Sequence, residues 1–581
     1  MILSPSPFLS KLGTDFLPSP AEKLVIRQLI SARQEKIRTI QDEIARLQAE
    51  QDELQSVIDD HLTLISPIRQ VHTDVLREIF SQCLPQHQLP APRALEAPLL
   101  FTEVCRLWRK VAIDTPELWT RVHFCLPHPK NPPITGKFRA FMHIWSAGVR
   151  TWLQRTGVMP LALAISGSSF ANNFQWNMDY REDIVELEQF HMDIAQQLLV
   201  HASRWRILSL ECPDRIREIL TTPTEELPSL KELRSYPHPF EGLSMNAEIP
   251  SLGAVLRRAP SLHSLHLNEP FYHLPIRWDS LTEVVLYGPS DSLASRVQAI
   301  SVSEATQVLS SSCLSLRHYT VSIYFDTMPS PVMISPIFLP NLQTFNVHVT
   351  TALGDFANEV PLTSLQQVFD SMTTPKLVHF GLGIACSQSA IDLDKFYFLD
   401  FLERSGCVLQ SLALDCQATS AAVIGLLTGM PLLKQLRLRM SMSNPWGLVY
   451  EHDSSRFLEP IIDSLTPSAT NVDVLCPNIE VLMCGKCPAT CAESLLALAE
   501  ARHMERSNTQ RLKRLQAHFS RAIEDVEVSS QLEALRKRGM LVQWCSPPGG
   551  LRSFIREPPF HVYVHSAELW WPTPWGNVTS Y

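Results

Sequence analysis

Pro260-Ser261-Leu262-His263-Ser264-Leu265-His266-Leu267 sets three apolar residues in an uneven rhythm: one, then two others, a second, then one other, a third. The alternation at its end is that of a strand, whose successive side chains point to opposite faces. The rhythm returns as Trp205-Leu208-Leu210, Leu230-Leu233-Ser235, Leu281-Val284-Leu286, Leu316-Tyr319-Val321, Leu342-Phe345-Val347 and Leu377-Phe380-Leu382. It continues as Leu409-Leu412-Leu414, Leu433-Leu436-Leu438, Ile479-Leu482-Cys484 and Leu512-Leu515-Ala517. Helix-like stretches lie between, such as Leu187–Ala202, Ser301–Ser312, Phe396–Ser405, Ala421–Gly429 and Ala492–Arg502. One such unit cannot bury its apolar face alone, so the units are expected to stack. The expected fold class is α/β: a curved parallel sheet with helices outside.

These units resemble leucine-rich repeats. Spacings of 19 to 46 residues between them, and the missing Asn three residues after the last apolar position, make the array degenerate and irregular. A mixed α/β domain with fortuitous matches is the alternative. The array is assigned to residues 201–544, with 126–200 as a link and first cap. In that link Phe138–Gly157 and Ile184–Ala202 are expected to be helical, with a strand-like Leu161–Ile165 between them. Residues 545–581, with Trp570, Trp571 and Trp575, are expected to cap the last unit. Alternation puts the residues flanking the second apolar position on the opposite sheet face. Among them Glu232, Arg234, His266, His318, His379, Gln435 and Arg437 are the candidates for holding a target protein, because solenoids bind through that face.

At the other end, residues 1–20 are Ser/Pro-rich and expected to be disordered or loosely docked. Pro and Gly are then absent until Pro67. A seam through Ile30, Arg33, Ile37, Ile40, Ile44, Leu47, Gln51, Leu54, Ile58, His61 and Ile65 alternates spacings of three and four. That is heptad patterning, which turns one stripe toward a partner helix. A helix over 21–66 follows, and about 40 of its residues at 1.5 Å each run near 60 Å. It pairs with a second copy, as a homodimer through 26–65, or packs on its own chain or another partner.

Residues 67–125 carry the second motif. Thr73 is a candidate N-cap, and Val75, Leu76, Ile79, Phe80, Cys83 and Leu84 share one apolar helical face. A further helical stretch spans Pro98–Ala112, and Thr115-Pro116 reads as a cap with proline at the first helical position. Val104-Cys105-Arg106-Leu107-Trp108-Arg109-Lys110-Val111-Ala112 and Thr115-Pro116-Glu117-Leu118-Trp119, after that first helix, resemble the F-box family, in its large fungal class. The family's Leu-Pro pair is Val71-His72 here, and its Glu is Asp74. The resemblance implies a substrate-recognition subunit of a Skp-cullin-F-box ubiquitin ligase. Its partners would be a Skp-type adaptor and, through it, a cullin. Val71, His72, Val75, Leu76, Ile79, Phe80, Val104 and Trp108 would meet the adaptor. The alternative is a non-ligase scaffold with a relic F-box.

Composition sets the outer bounds. The 581 residues are 45% hydrophobic and 19% charged, with only 20 Gly against 43 Pro and a net charge of −9. Such a chain is not wholly disordered, and its acidity does not suit a nucleic-acid partner. No apolar run reaches the roughly 18 residues of a membrane span. Thirteen cysteines, an odd number and mostly widely spaced, suit a reducing compartment, so a cytoplasmic or nuclear setting is expected. No nucleotide loop, zinc-protease or nucleophile-elbow motif occurs, and no enzyme activity or cofactor is expected. Cys484-x-x-Cys487, with Cys476 and Cys491 near, has zinc-like spacing. It lacks a second pair, and Cys484 takes a core position of its unit, so no metal is expected. Asp392/Asp394 read as a solvated turn. The basic residues of 511–538 are interleaved with acids and read as a solvated face.

Overall fold

The computed structural model describes residues 6–85, 89–129, 133–167, 180–223, 225–236, 252–268, 271, 274–286, 300–325, 335–351, 362–385, 398–415, 418–439, 451–467, 473–503, 509–519, 523 and 526–545. The expected cap over 545–581, apart from Cys545, and the Asp392/Asp394 turn lie outside them. The chain divides into two compact units, residues 1–79 and 80–581.

The first unit is dominated by α1, Pro20–Ile65, 46 residues long. Ser19 starts it with a capping box: Glu22 N–H donates to Ser19 Oγ at 3.4 Å, and Ser19 N–H to Glu22 Oε2 at 2.9 Å. Before it lies a short turn over Leu9–Lys11, and Lys11 sits 3.9 Å above the Phe16 ring. The heptad seam is open: Ile37, Ile44, Leu47 and Leu54 all expose about half their surface or more. Helix α2, Thr73–Gln82, starts one residue earlier than a Thr73 cap requires. The capping acceptor is instead the His72 imidazole, whose Nδ1 takes the Asp74 N–H at 3.3 Å.

In the second unit the stretch expected as one helix over 98–112 is two, α3 (Leu99–Val104) and α4 (Arg106–Ile113). Cys105 between them is extended, and its Sγ accepts from Trp108 N–H at 3.5 Å, so it ends one helix and caps the next. Arg109 Nε donates to the freed Thr102 carbonyl at 2.6 Å. Pro116 opens a 3-10 turn as expected, but the Thr115 hydroxyl donates back to Val111 O at 2.6 Å and caps nothing. Trp119 is fully buried. Its indole donates to Ala112 O, and its own carbonyl accepts from the Trp152 indole, both at 2.8 Å.

Among the described residues sixteen strands follow: β1 Arg121–Cys125, β2 Leu161–Ser166, β3 Trp205–Glu211, β4 Glu232–Ser235, β5 Ser264–Leu267, β6 Glu283–Leu286, β7 His318–Phe325, β8 Ile337–Phe338, β9 Thr344–Thr351, β10 Met372–Thr373, β11 His379–Ala385, β12 Ser411–Asp415, β13 Gln435–Arg439, β14 Val481–Cys487, β15 Arg514–Phe519 and β16 Leu541–Cys545. All but β8 and β10, which pair with each other, form one parallel sheet in which strands neighbour in chain order. This is an α/β architecture consistent with a solenoid-like arrangement. Each of the eleven rhythmic segments supplies one strand. Their second apolar positions stand in register from strand to strand: Leu208, Leu233, Leu265, Val284, Tyr319, Phe345, Phe380, Leu412, Leu436, Leu482 and Leu515. All eleven are at most 2% exposed. Such a ladder removes roughly 2 kcal/mol worth of apolar surface per large side chain from water.

The sheet also runs past the eleven. Val122, Leu163 and Val542 extend the same row through β1, β2 and β16. Trp119-Val122-Phe124 carries the rhythm too, so β1 is readable within the 67–125 segment. β2 is the expected strand over Leu161–Ile165. Helices α5 (Gly136–Arg155) and α6 (Arg181–Leu199) flank it in sequence. On the apolar side of the sheet, Tyr319 donates its phenol to Ala305 O of the helix Val302–Ser311 at 3.3 Å. Phe380 stacks on Phe398 of the helix Phe398–Ser405, ring centres 4.2 Å apart.

Candidate functional site

The opposite sheet face is polar, and it gathers the candidate target-holding residues onto one surface. Side chains on neighbouring parallel strands stand about 4.8 Å apart, so they screen and bond one another. At the N-terminal end Glu211 stands on this face, and burial lifts its carboxyl to about 7. Glu232 pairs with Arg234 within β4. His266 is 7% exposed; its Nε2 lies 3.2 Å from both Glu283 Oε1 and Ser264 Oγ, and its Nδ1 lies 3.4 Å from the Tyr236 phenol. Ser264 Oγ donates to Glu283 Oε2 at 2.8 Å. Burial lowers the His266 pKa, and Glu283 only partly opposes it.

Midway, His318 Nδ1 lies 3.0 Å from Thr344 Oγ1, and Asn346 Nδ2 donates to Thr320 Oγ1 at 3.0 Å. Gly381 and Gly383 leave room for this row. A Cβ on Gly383 would lie 2.5 Å from His348 Cδ2, and one on Gly381 would meet the Asn346 amide. His348 is buried, and its pKa is pulled down to about 4 by burial and then by Arg439. His379 is half-buried.

The C-terminal end is cationic. Arg439 pairs with Asp415 at 3.5 Å, while Arg514 Nη2 donates to Gln543 Oε1 at 3.3 Å. Gln435 is half-buried, and Arg437 is only 5% exposed. Of the seven candidates, His266 and Arg437 are therefore interior to the face, and the other five keep partial access. Sequence reasoning misses Glu283, Asp415 and Arg439. Glu283 directly precedes a second apolar position and obeys the same alternation; Asp415 and Arg439 lie one residue past the third.

The candidate adaptor-facing residues divide by exposure. Leu76 and Phe80 are fully buried, whereas Val75 exposes 53% and Ile79 36%. The His72 side chain is exposed and Val71 half-buried. In the second unit Phe80 stacks on Phe101 at 4.3 Å and touches Trp108 at 4.9 Å, while Leu100, Val104 and Leu107 stay exposed.

Cys476, Cys484, Cys487 and Cys491 are all buried. Cys476 Sγ points at Leu427 O and Met430 O, 3.5 and 3.6 Å away. Burial pushes the Cys476 and Cys491 thiols up to about 12, and the Cys484 thiol beside Cys487 raises that group as well. Cys476, Cys487 and Cys491 are therefore protonated core thiols. Among the described residues no group of three or more His, Cys, Asp or Glu could hold a metal ion, and no helix is long and apolar enough to cross a membrane.

The sequence matches no family model and no curated protein.

Proposed function

We propose that this protein is a non-catalytic substrate receptor of a Skp-cullin-F-box type ubiquitin ligase. Residues 67–125 act as the F-box that engages a Skp-type adaptor, and the leucine-rich-repeat-like sheet holds a target protein on its polar face. The receptor acts by proximity, raising the effective concentration of the target near the ligase. The observation that carries the adaptor half is the division of helix α2. Leu76 and Phe80, one turn apart, turn inward, while Val75 and Ile79, also one turn apart, stay open to solvent. Exposed aliphatic pairs of this kind mark a contact surface.

The test is co-purification of the full-length protein with a recombinant Skp-type adaptor. Val75→Asp with Ile79→Asp puts unpaired charge into that contact, and co-purification should vanish while the circular dichroism spectrum stays unchanged. Leu76 is unsuitable, since a charge at a fully buried site tests folding instead. Undiminished adaptor capture by the double variant rejects this docking. A second reading, a scaffold with a relic F-box, is favoured by exposed His72 standing where the family has proline. It predicts no capture by the wild-type protein and recovery with His72→Pro.

A further inference from the structure

Arg437 is 5% exposed, yet among the described residues no carboxylate, carbonyl or hydroxyl accepts from it, and its Nε is buried without a partner. Its register partners are Ala413 on β12 and Met483 on β14, both buried and neither an acceptor. The charged group that bears on it is Arg514, of like sign. Burial and then that repulsion bring Arg437 to about 10, so it remains charged at neutral pH. On β15, opposite Met483, Gln516 is 1% exposed, and its Oε1 is also buried without a donor. Its Nε2 lies 3.2 Å from His518 Nε2. A lone buried cation and an orphaned amide carbonyl thus share one face, two strands and roughly 10 Å apart. Each costs stability unless a partner arrives from outside.

We propose that the polar face of β13–β15 seats an acidic peptide segment, whose carboxylate pairs with Arg437 and Arg514 and whose backbone N–H donates to Gln516 Oε1. This rests on the reading that this sheet face holds the target, and it names the target's chemistry. A planar guanidinium fork matches a carboxylate through two parallel hydrogen bonds. The neighbouring Arg439 is already neutralised by Asp415 and does not compete for the carboxylate. The carboxylate comes either from an Asp or Glu side group or from the free α-carboxyl end of a polypeptide, and the two are separable by experiment.

The full-length protein and its Arg437→Met and Gln516→Leu variants are followed by thermal unfolding, alone and with four N-acetylated pentapeptides at millimolar concentration. The peptides are Ala-Ala-Glu-Ala-Ala amide, Ala-Ala-Gln-Ala-Ala amide, Ala-Ala-phosphoserine-Ala-Ala amide, and five alanines ending in a free carboxylate. Without peptide, Arg437→Met should unfold at a higher temperature than wild type, since it removes an unpaired buried charge; a structural arginine would lower it. The glutamate or the free-acid peptide should raise the wild-type midpoint by about 2 °C, whichever does so identifying the source. That shift should disappear in Arg437→Met and shrink in Gln516→Leu, and the glutamine peptide should do nothing. A lower midpoint for Arg437→Met, equal peptide shifts in wild type and Arg437→Met, a response to the phosphoserine peptide alone, or no response to any acidic peptide each overturns the proposal. Adaptor co-purification is run on the same preparations. Loss of peptide response with adaptor capture intact isolates this site. Peptide response without any adaptor capture overturns the ligase reading and leaves the peptide site standing.

Discussion

Asp415 and Arg439 face each other across the β12–β13 pair, register partners whose Oδ2 and Nη1 are 3.5 Å apart. Two residues earlier on β13, Arg437 faces Ala413. The two arginines share one strand and one sheet face, and the residue opposite separates a neutralised cation from a lone one.

The paired arginine gives the first prediction. The Asp415 and Arg439 side chains are 8% and 14% exposed, so removing one charge strands the other. Asp415→Asn should cost about 3 kcal/mol, and Asp415→Asn with Arg439→Met should recover most of it. Urea unfolding of the two single variants and the double variant measures the coupling. A single variant as stable as wild type would refute a structural role for the pair.

Arg502 is a keystone on the other side of the sheet. It is 1% exposed and donates to the carbonyls of Leu465 and Leu475 at 2.8 Å, Cys476 at 3.1 Å and Pro477 at 3.4 Å. Leu465 O ends the helix Glu451–Leu465, Leu475 O follows it, and Cys476 O and Pro477 O also accept from Ile479 N–H at 3.2 Å and Gln510 N–H at 2.8 Å. Arg502→Met should destabilise by roughly 3 kcal/mol, since buried acceptors lose their donors. Arg502→Lys should rescue little, because one ammonium cannot span the same set of carbonyls. Equal urea midpoints for Arg502→Lys and wild type would contradict this.

Stability should depend on pH from two opposed sources. His191 and His348 are held at about 4 by burial, against 6.5 ordinarily. Between those values the unfolded protein binds more protons, so their contribution is full above about pH 6.5 and lost as pH falls through 4. The buried Glu211 carboxyl, raised from 4.5 to about 7, works the other way. There the folded protein binds more protons, and its contribution is full below about pH 4.5 and lost as pH rises through 7. Glu211→Gln should therefore raise the urea midpoint at pH 8 and leave it unchanged at pH 4. His191 donates from Nε2 to Pro127 O at 2.9 Å, which an amide can imitate. His191→Gln should flatten the loss between pH 6.5 and 4. A Glu211→Gln midpoint lower than wild type at pH 8 would reverse the assignment.

The open seam of α1 predicts self-association. Residues 20–66 alone should gain helicity with concentration and show dimer mass in light scattering, through β-branched Ile30, Ile37, Ile44 and Ile58 on one seam line. Ile44→Asp should abolish both effects. Concentration-independent helicity with monomer mass rejects the homodimer.

Local pattern makes much of the fold legible. Eleven strands follow from one rhythm, because alternation over three to five residues decides which side chains face the core wherever the strand ends up. Helix α1 follows from 46 residues free of Gly and, after Pro20, of Pro, with Ser19 and Glu22 three apart at its start. Strand β1 is equally readable in Trp119-Val122-Phe124. The helix break at Cys105 is not, since the apolar spacing runs unbroken across it and only the capping sulfur and Arg109 reveal the gap.

Local order along the chain sets which residues alternate, where breakers fall and which face of each unit is apolar, since these depend on neighbours within a few positions. Tertiary structure alone decided what each polar residue meets. Stacking sets the register between units 19 to 46 residues apart, and that register put Asp415 opposite Arg439, Ala413 opposite Arg437, and glycines beneath Asn346 and His348. Likewise Leu76 went inside and Val75 stayed out, although both belong to one helix. Burial, charge pairing and protonation are properties of such contacts, and contacts between distant units are not written in any short stretch of sequence.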